Sequence, residues 1–285
     1  AALVLYDVAP LPALSEENTS VTVTGTNATV QLKGDGLSEF TKVSFIATNK
    51  ETGEETLIYY HESATGFADG EVVTFTMPES LGSGAYSLSI VARDDYATYY
   101  SEATKEFTFT NPNQPAVPTI ASVTGAGDYK LDVVMNAGSA SDAFDGYVFS
   151  AYALNSESNE YEPVTGVENV LYYKDGSKLI YNEDGTIAAA TGNSTSEPFT
   201  IGGHYESPYK DEETGEPRTL IAGFSEGEYK LEVRRFKIVS AGKALLYSKP
   251  AEQMITVRKP VKTTVTVTTV LPNDGISKII TRTLG

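Results

Sequence analysis

The sequence contains no cysteine, no tryptophan and only two histidines among its 285 residues. Without cysteine the chain forms no disulfide bonds and no thiolate metal sites, and it has no cysteine nucleophile. His61 and His204 lie far apart in the sequence, and neither belongs to an H-E-x-x-H arrangement. Phosphate-binding glycine loops are also missing. We therefore expect a protein that is not an enzyme, although the composition leaves open an acid/base pair of carboxylates.

Positive charge and long apolar runs are scarce as well. Lysine and arginine total 21 against 38 aspartates and glutamates, which gives a net charge of −17. Because phosphate backbones and anionic lipid surfaces attract clustered basic residues, we expect no nucleic-acid partner and no binding to such membranes. No run reaches the roughly 18 apolar residues of a membrane span, so we expect no membrane insertion. A signal peptide or anchor, if one exists, is expected outside this sequence.

The sequence does have the composition of half-buried β-sheet, with 18 tyrosines, 11 phenylalanines and many valines and threonines. Apolar residues alternate with polar ones in short runs, for example at Val43 and Phe45 and at Leu88 and Ile90. Glycine, asparagine, aspartate and proline separate these runs at intervals of about 8–12 residues, the spacing of a β-sandwich. The pattern predicts an all-β protein.

The segment TNPNQPAVP at 110–118 holds three prolines, and proline cannot join a central sheet ladder. We interpret this segment as a semi-rigid spacer, and we predict one domain over 1–113 and a second over 114–259. Both domains close with the same order of signals. A Gly-x-Tyr-x-Leu strand occurs at 84–88 and again at 227–231, and a Tyr-Ser segment and a further strand follow each time. This internal repeat predicts two related domains in tandem.

The motif VTFTMPESLGSGAYSLSI at 73–90, with EFTFT at 106–110, resembles the IPT/TIG-type immunoglobulin-like domain. The second domain, with DGYVFSAYAL at 145–154 and GEYKLEV at 227–233, resembles a fibronectin type III domain. The resemblance implies two immunoglobulin-like β-sandwich domains in tandem, a fold that hosts many functions. Because the second domain exceeds the about 100 residues usual for such a sandwich, we expect an insertion within 157–222.

The last segment, 260–285, alternates threonine and valine, turns at Pro-Asn-Asp-Gly and offers a second strand. Asp-Gly between alternating runs is typical of a hairpin, so we predict a C-terminal β-hairpin or strand segment. A lone hairpin is only marginally stable in water. The sequence leaves three alternatives open, namely that this segment packs on the second domain, begins a third domain, or pairs with another chain.

Adjacent tyrosines recur along the chain, at 59–60, 99–100 and 172–173. Neighbouring residues of a strand point to opposite faces, so we expect each pair to place one ring in the core and one outside. An outward ring offers a contact surface for a sugar or a protein, and its alternative role is cross-strand packing. The predicted ligand contacts are Tyr60, Tyr100, Tyr172, Tyr173 and Tyr181.

No cofactor is expected, apart from the hypothesis of a structural calcium ion held by oxygen ligands. Its candidate ligands are Asp175, Asn182, Glu183 and Asp184, with Asp94 and Asp95 as a second cluster. The spacing of an EF-hand is absent. Aspartate and asparagine before glycine also favour turns, so these residues have an alternative interpretation as turn formers.

Together these observations predict a non-catalytic, immunoglobulin-like module of a bacterial secreted or cell-surface protein that acts in adhesion, spacing or assembly. Its expected partner is a protein or a glycan, and its expected location is extracellular or at the cell surface. One alternative is a structural subunit of a pilus or phage virion, in which the 260–285 segment pairs with a neighbouring chain and so causes self-association. Another alternative is a glycan-binding module that uses exposed tyrosines.

Overall fold

A computed structural model describes residues 11–96, 100–138, 143–210, 217–258, 263–270 and 277–284, without the side chains of 204–222 and 259–285. Within these ranges the backbone forms strands and turns, and its helical pieces are two short 3-10 turns, Leu37–Glu39 and Ser240–Gly242. The all-β prediction is confirmed. Neither helical piece of the described ranges has the length and hydropathy of a membrane span.

The first module is a sandwich of two antiparallel sheets. Its described strands are β1 (Ala13–Leu14), β2 (Ser20–Thr24), β3 (Asn27–Gln31), β4 (Gly34–Asp35), β5 (Lys42–Asn49), β6 (Glu55–Glu62), β7 (Val72–Thr76), β8 (Gly84–Arg93) and β9 (Tyr100–Phe109). One sheet has the order β2-β3-β7 and the other has the order β6-β5-β8-β9, while β1 and β4 form a small separate pair. A three-stranded sheet against a four-stranded one is an immunoglobulin-like arrangement.

Alternate residues of these strands fill the core, because successive side chains of a strand point to opposite faces. In β5 the inward residues Val43, Phe45 and Ala47 are fully buried, whereas their neighbours are partly exposed. Strand β8 repeats the pattern with Leu88 and Ile90. Burial of one such large apolar side chain contributes about 1.5–3 kcal/mol relative to its exposed state. The alternation read from the sequence is therefore also the packing of the core.

The second module is a larger sandwich. Its described strands are β10 (Ile120–Gly127), β11 (Lys130–Met135), β12 (Gly146–Leu154), β13 (Tyr161–Pro163), β14 (Val170–Tyr173), β15 (Phe199–Lys210), β16 (Pro217–Ala222), β17 (Gly227–Val239), β18 (Ala244–Tyr247) and β19 (Ala251–Val257). One sheet has the order β10-β11-β15-β16. The other is built on the β12–β17 pair, with β13 and β14 beside β12 and with β18 and β19 beside β17.

Each module has its own hydrophobic cluster. The second cluster includes Leu131, Val133, Phe149, Leu231 and Val233, and it is separate from the cluster of the first module. Between the modules, β9 ends at Phe109 and β10 begins at Ile120. The domain boundaries at 113 and 259 stay predictions.

The C-terminal segment forms the predicted hairpin. Strands β20 (Thr263–Val270) and β21 (Ser277–Leu284) pair antiparallel along their whole length. Within the described part of the chain, they form a two-stranded sheet that no other strand joins by backbone hydrogen bonds.

The two modules have the same tyrosine hydrogen bond at the start of a late strand, β8 in the first module and β17 in the second. The Tyr86 hydroxyl donates to the Gly82 carbonyl at 2.7 Å, and the Tyr229 hydroxyl donates to the Ser225 carbonyl at 3.0 Å. Both rings are buried. A tyrosine at the start of a late strand, bonded to the backbone a few residues upstream, recurs in immunoglobulin-like sandwiches. Together with the strand order, these corners confirm the predicted tandem of immunoglobulin-like and fibronectin III-like sandwiches.

The final strands of the two modules differ. Strand β9 pairs with β8 without interruption, whereas the corresponding edge of β17 pairs with two shorter strands, β18 and β19. The register shifts by one residue between these two pieces, so two residues of β17 lie opposite the three residues 248–250. This irregularity is a β-bulge. Two hydrogen bonds of 2.9 Å hold it, one from the Ser248 N–H to the Arg235 carbonyl and one from the Arg235 N–H to Ser248 Oγ.

The segment 174–198, between β14 and β15, covers part of the outer face of the second module. The Tyr173 hydroxyl donates to the Ala188 carbonyl at 2.8 Å and accepts from the Ile180 N–H at 3.3 Å. By register, Val148 and Phe236 share this outer face with Tyr173, and all three are buried although they lie outside the main core cluster. The covered face is therefore a second apolar layer.

Candidate functional site

The predicted contact tyrosines of the first module lie at opposite edges of one sheet. Tyr60 is on the edge strand β6 and is 43% exposed, and its hydroxyl donates to the Glu62 carboxylate. This hydrogen bond is the main cause of the raised pKa of Tyr60. Tyr100 begins the other edge strand, β9, and is 73% exposed. The structure therefore does not bring Tyr60 and Tyr100 together, and their predicted contact role stays a prediction.

Tyr172 and Tyr173 point to opposite faces of β14, as alternation predicts, yet neither ring is openly exposed. Tyr172 packs against the core, its hydroxyl donates to the Thr200 carbonyl at 2.9 Å, and burial raises its pKa. Tyr173 is only 4% exposed, because the segment 174–198 covers its side of the sheet. This burial removes Tyr173 from the predicted contact surface. Tyr181 belongs to the covering segment and is 61% exposed.

The candidate calcium ligands of the 174–198 segment are engaged in turns. Asp175 Oδ1 accepts hydrogen bonds from the Ser177 hydroxyl at 2.6 Å and its N–H at 3.0 Å, and Asp184 makes the same two bonds with Thr186. These bonds hold the pKa of both aspartates below its ordinary value. Within the described ranges, no group of three histidine, cysteine, aspartate or glutamate side chains is placed to hold a metal ion. In this structure these carboxylates therefore serve as turn formers.

The proline-rich segment between the modules is bonded to both of them. The Asn111 amide is buried and donates to the Leu81 carbonyl at 2.8 Å. The Gln114 amide bridges the modules, because its Oε1 accepts from the Ser83 N–H at 2.9 Å and its Nε2 donates to the Tyr247 carbonyl at 2.8 Å. One side chain thus connects the Gly-Ser-Gly corner of the first module to the end of β18.

Two further contacts cross the junction. The Glu79 carboxylate accepts from the Ser240 N–H at 2.6 Å and from its hydroxyl at 3.1 Å. Lys249 Nζ lies 3.3 Å from Glu51 Oε2, an exposed pair that contributes about 0–1 kcal/mol. Lys249 is one of the bulge residues. Bulges often redirect the chain beside functional sites, and this one supplies Lys249 to the junction.

A groove follows the junction. Two cavities of about 380 Å³ and 370 Å³ share Glu54, Arg234 and Tyr247 in their walls. The first cavity lies between the two modules, and the second extends over the outer face of the β12–β17 sheet. We call both cavities together the junction groove. Its lining includes Asn49, Glu54, Gln114, Ser150, Arg234 and Tyr247.

The charged groups of the junction groove are unequally paired. Lys230 Nζ lies 2.7 Å from Glu232 Oε1, and the hydrogen bond to that carboxylate is the main cause of the raised pKa of Lys230. Arg234 Nη2 is 3.8 Å from Glu232 Oε2, which is near the limit of an ion pair. In the part of the chain that the structure describes, the Glu54 carboxylate accepts no hydrogen bond and forms no ion pair. Glu54 and Arg234 therefore keep hydrogen-bonding capacity in the groove.

Tyrosines frame the junction groove. Burial is the main cause of the raised pKa of Tyr247, and the nearby Tyr181 phenol adds to it. Tyr181, a predicted contact residue from the 174–198 segment, therefore lies near the groove. Burial also raises the pKa of Tyr86, whose corner forms part of the wall of the first cavity.

The groove residues Glu54, Gln114 and Arg234 were not predicted from the sequence. Each is a single polar residue within a strand, turn or linker pattern, and they come from distant parts of the chain. The available signal was Pro250, because proline cannot join a ladder and so indicates an interruption after Tyr247.

No family model matches the sequence, and no curated protein matches it. Among solved structures, the chain is similar to a two fibronectin type III domain segment from chicken tenascin, with 10% identity, 86% of this chain and 99% of that chain covered, and a TM-score of 0.24. It is also similar to the FN1–FN3 domains of chicken CNTN1, with 12% identity, coverage of 87% and 68%, and a TM-score of 0.28. TM-scores this low do not support a fold assignment, so the assignment rests on the strand order and on the hydrogen bonds of Tyr86 and Tyr229.

Proposed function

We propose that the chain is a non-catalytic, two-module spacer and adhesive unit of a bacterial extracellular or cell-surface protein. The observation that carries the proposal is Gln114, whose amide is bonded to both modules within the segment that joins them. A spacer has to keep its two parts in a defined relation, and the proline-rich composition of this segment adds stiffness. The contact between Glu79 and Ser240 supports the same role.

Small-angle X-ray scattering on the full chain tests this joint. We expect a narrow distribution of particle dimensions for the unchanged chain. The double variant Gln114→Ala with Glu79→Ala should broaden the distribution, because it removes the described bonds that these two side chains make across the junction. Gln31→Ala is the matched control, since the Gln31 amide bonds within the first module. Modules that already sample many orientations in the unchanged chain would refute the spacer function.

A second candidate function, a self-assembling structural subunit, is supported by the charge of the C-terminal segment. Of the 21 basic and 38 acidic residues, 3 and 1 lie within 260–285, which leaves a net charge of +2 there and −19 on the rest of the chain. A two-stranded sheet has open edges that pair readily with another chain. Opposite charges favour docking of this hairpin onto a second copy.

Light scattering on the full chain and on a version that ends at Arg258 tests this second candidate. We expect concentration-dependent assembly of the full chain, weakened by salt because surface charges are screened. The shortened version should stay monomeric. The variant Lys278→Glu with Arg282→Glu keeps the hairpin and reverses part of its charge, so it should assemble less than the unchanged chain. Monomers under all conditions would exclude assembly.

A further inference from the structure

We infer that the junction groove binds a short segment of a neutral oligosaccharide. The inference rests on the proposed function, because the groove exists only while the joint holds both modules together. Ligand sites often lie between domains, and small-molecule sites occupy about 300–1,000 Å³. Both cavities, of about 380 Å³ and 370 Å³, fall within this range and meet at three shared residues.

The two charged residues that line both cavities determine which hydrogen-bonding groups a ligand needs. Glu54 offers a carboxylate, which only accepts hydrogen bonds, and Arg234 offers a guanidinium, which only donates them. A ligand that bonds both residues must donate to one and accept from the other. A hydroxyl does both, whereas a carboxylate only accepts and an ammonium only donates. Neighbouring hydroxyls on a sugar ring match this pair.

The balance of charge favours a neutral ligand. Lys249 is paired with Glu51 at 3.3 Å, and Lys230 is paired with Glu232 at 2.7 Å. The groove then retains one acid, Glu54, and one base with a long ion pair, Arg234. A charged ligand would meet one attractive and one repulsive group, and the net charge of −17 adds a general penalty for anions.

The remaining wall also suits a sugar. Asn49 lies in the first cavity, and Asn169 and Ser150 lie in the second. The Ser150 hydroxyl donates to Asn169 Oδ1 at 3.2 Å, so the NH₂ group of Asn169 is the donor that this pair offers to a ligand. The Tyr152 ring is positioned by Lys230, whose Nζ lies 4.8 Å from the ring centroid. Tyrosine combines an apolar ring with a polar hydroxyl, so the face of the Tyr152 ring that Lys230 does not cover offers apolar surface to a sugar in the second cavity.

The test is a titration of the full chain with neutral tetrasaccharides of different linkage (maltotetraose, cellotetraose, xylotetraose and mannotetraose), with trigalacturonate as the charged comparison. Binding is followed by amide NMR shifts and by calorimetry. We expect at least one neutral sugar to bind and to shift amides of both cavities, such as Ser83 and Ser150. A blank panel overturns the inference, and so does tighter binding of trigalacturonate than of every neutral sugar.

Two variants locate the site. Glu54→Gln and Arg234→Met roughly keep the side-chain size. Arg234→Met removes a charged donor and should weaken binding by about tenfold or more, and Glu54→Gln replaces a charged acceptor with a neutral one and should weaken binding by a smaller factor. Thr22→Ala is the control, because Thr22 is exposed on β2, in the other sheet of the first module and outside both cavities, so this variant should leave affinity unchanged. Equal affinity in all three variants overturns the inference. The NMR shifts of the unchanged chain give the location independently, even if a variant unfolds.

The scattering and binding experiments separate the two proposals. A narrow particle distribution without sugar binding leaves the spacer function in place and refutes the groove inference. Free motion of the modules together with shifts confined to one module refutes both.

Discussion

The two modules share a corner but differ in the strand that follows it. Tyr86 and Tyr229 make equivalent hydrogen bonds, so both penultimate strands start alike. Strand β9 then continues without interruption, whereas the corresponding strand of the second module divides at residues 248–250. Of the described junction contacts of the second module, those of Tyr247 and Lys249 lie at this division, whereas that of Ser240 lies in the 3-10 turn before β18. The comparison teaches that the common scaffold sets the fold, while a local irregularity in one copy builds the surface between them.

The outer faces of the two modules also differ, because within the described residues only that of the second module is buried by a covering segment. In the first module the outward positions of the central strands include Ser44 and Ser89, which are only partly buried. In the second module the outward residues Val148 and Phe236 are buried, and the 174–198 segment passes over part of that face. Position 146 in this layer has room only for glycine. A Cβ there would clash, because it would lie 2.1 Å from the Tyr172 carbonyl oxygen and 2.5 Å from the Phe236 ring.

The largest expected effect comes from the covered face. Phe236→Ala should lower the free energy of unfolding of the second module by about 3–5 kcal/mol, because it leaves a cavity at a fully buried position. Urea unfolding followed by amide signals of each module measures this loss separately for the two sandwiches. Val91→Ala, on the partly exposed outer face of β8, is the control and should cost far less. Similar losses for both variants would contradict the idea that only one outer face is a packed layer.

The bulge gives the second prediction. Ser248→Ala should destabilise the second module by about 1–3 kcal/mol, because the buried N–H of Arg235 loses its acceptor. Thr108→Ala, at an exposed position of the uninterrupted strand β9, should change stability little. Thermal unfolding of both variants measures the difference. If the two variants prove equally stable, the serine does not hold the bulge.

The smallest expected effect tests whether the Tyr86 and Tyr229 hydrogen bonds contribute equally to the stability of their modules. Tyr86→Phe and Tyr229→Phe each remove one hydroxyl from a buried ring, and each should cost its own module about 0.5–1.5 kcal/mol. Module-resolved urea unfolding, as for Phe236, compares the two losses. Clearly unequal losses would mean that the two corners are similar in geometry but not in energetic role.

The structural features that the sequence predicts correctly are those that a short stretch of residues encodes. Alternation at Val43 and Phe45 predicts a strand, and the repeated Gly-x-Tyr-x-Leu predicts two related endings. The hairpin at the C-terminus follows from an Asp-Gly turn between alternating runs. Each of these depends on neighbours within about ten residues, so tertiary structure is not needed to find them.

The features that were missed depend on distant residues. Alternation correctly places Tyr172 and Tyr173 on opposite faces, but it contains no information about Ile187, which is buried in the segment over that face. The junction groove likewise joins Glu54 with Arg234, whose proximity depends on the relative placement of two complete modules. Polar residues of this kind are common on sandwich surfaces, so their types alone indicate no site.

The position of the junction residues in the chain also fixes the order in which the protein is completed during synthesis. Domains fold as units, and the N-terminal one emerges from the ribosome first. The described strands of the first module are complete once Phe109 has emerged, whereas the groove also needs Gln114, Arg234 and finally residues 247–250. A nascent chain halted before β18 therefore carries the described strands of the first sandwich but no groove, so the groove forms only after the second module has been translated at least to residue 250.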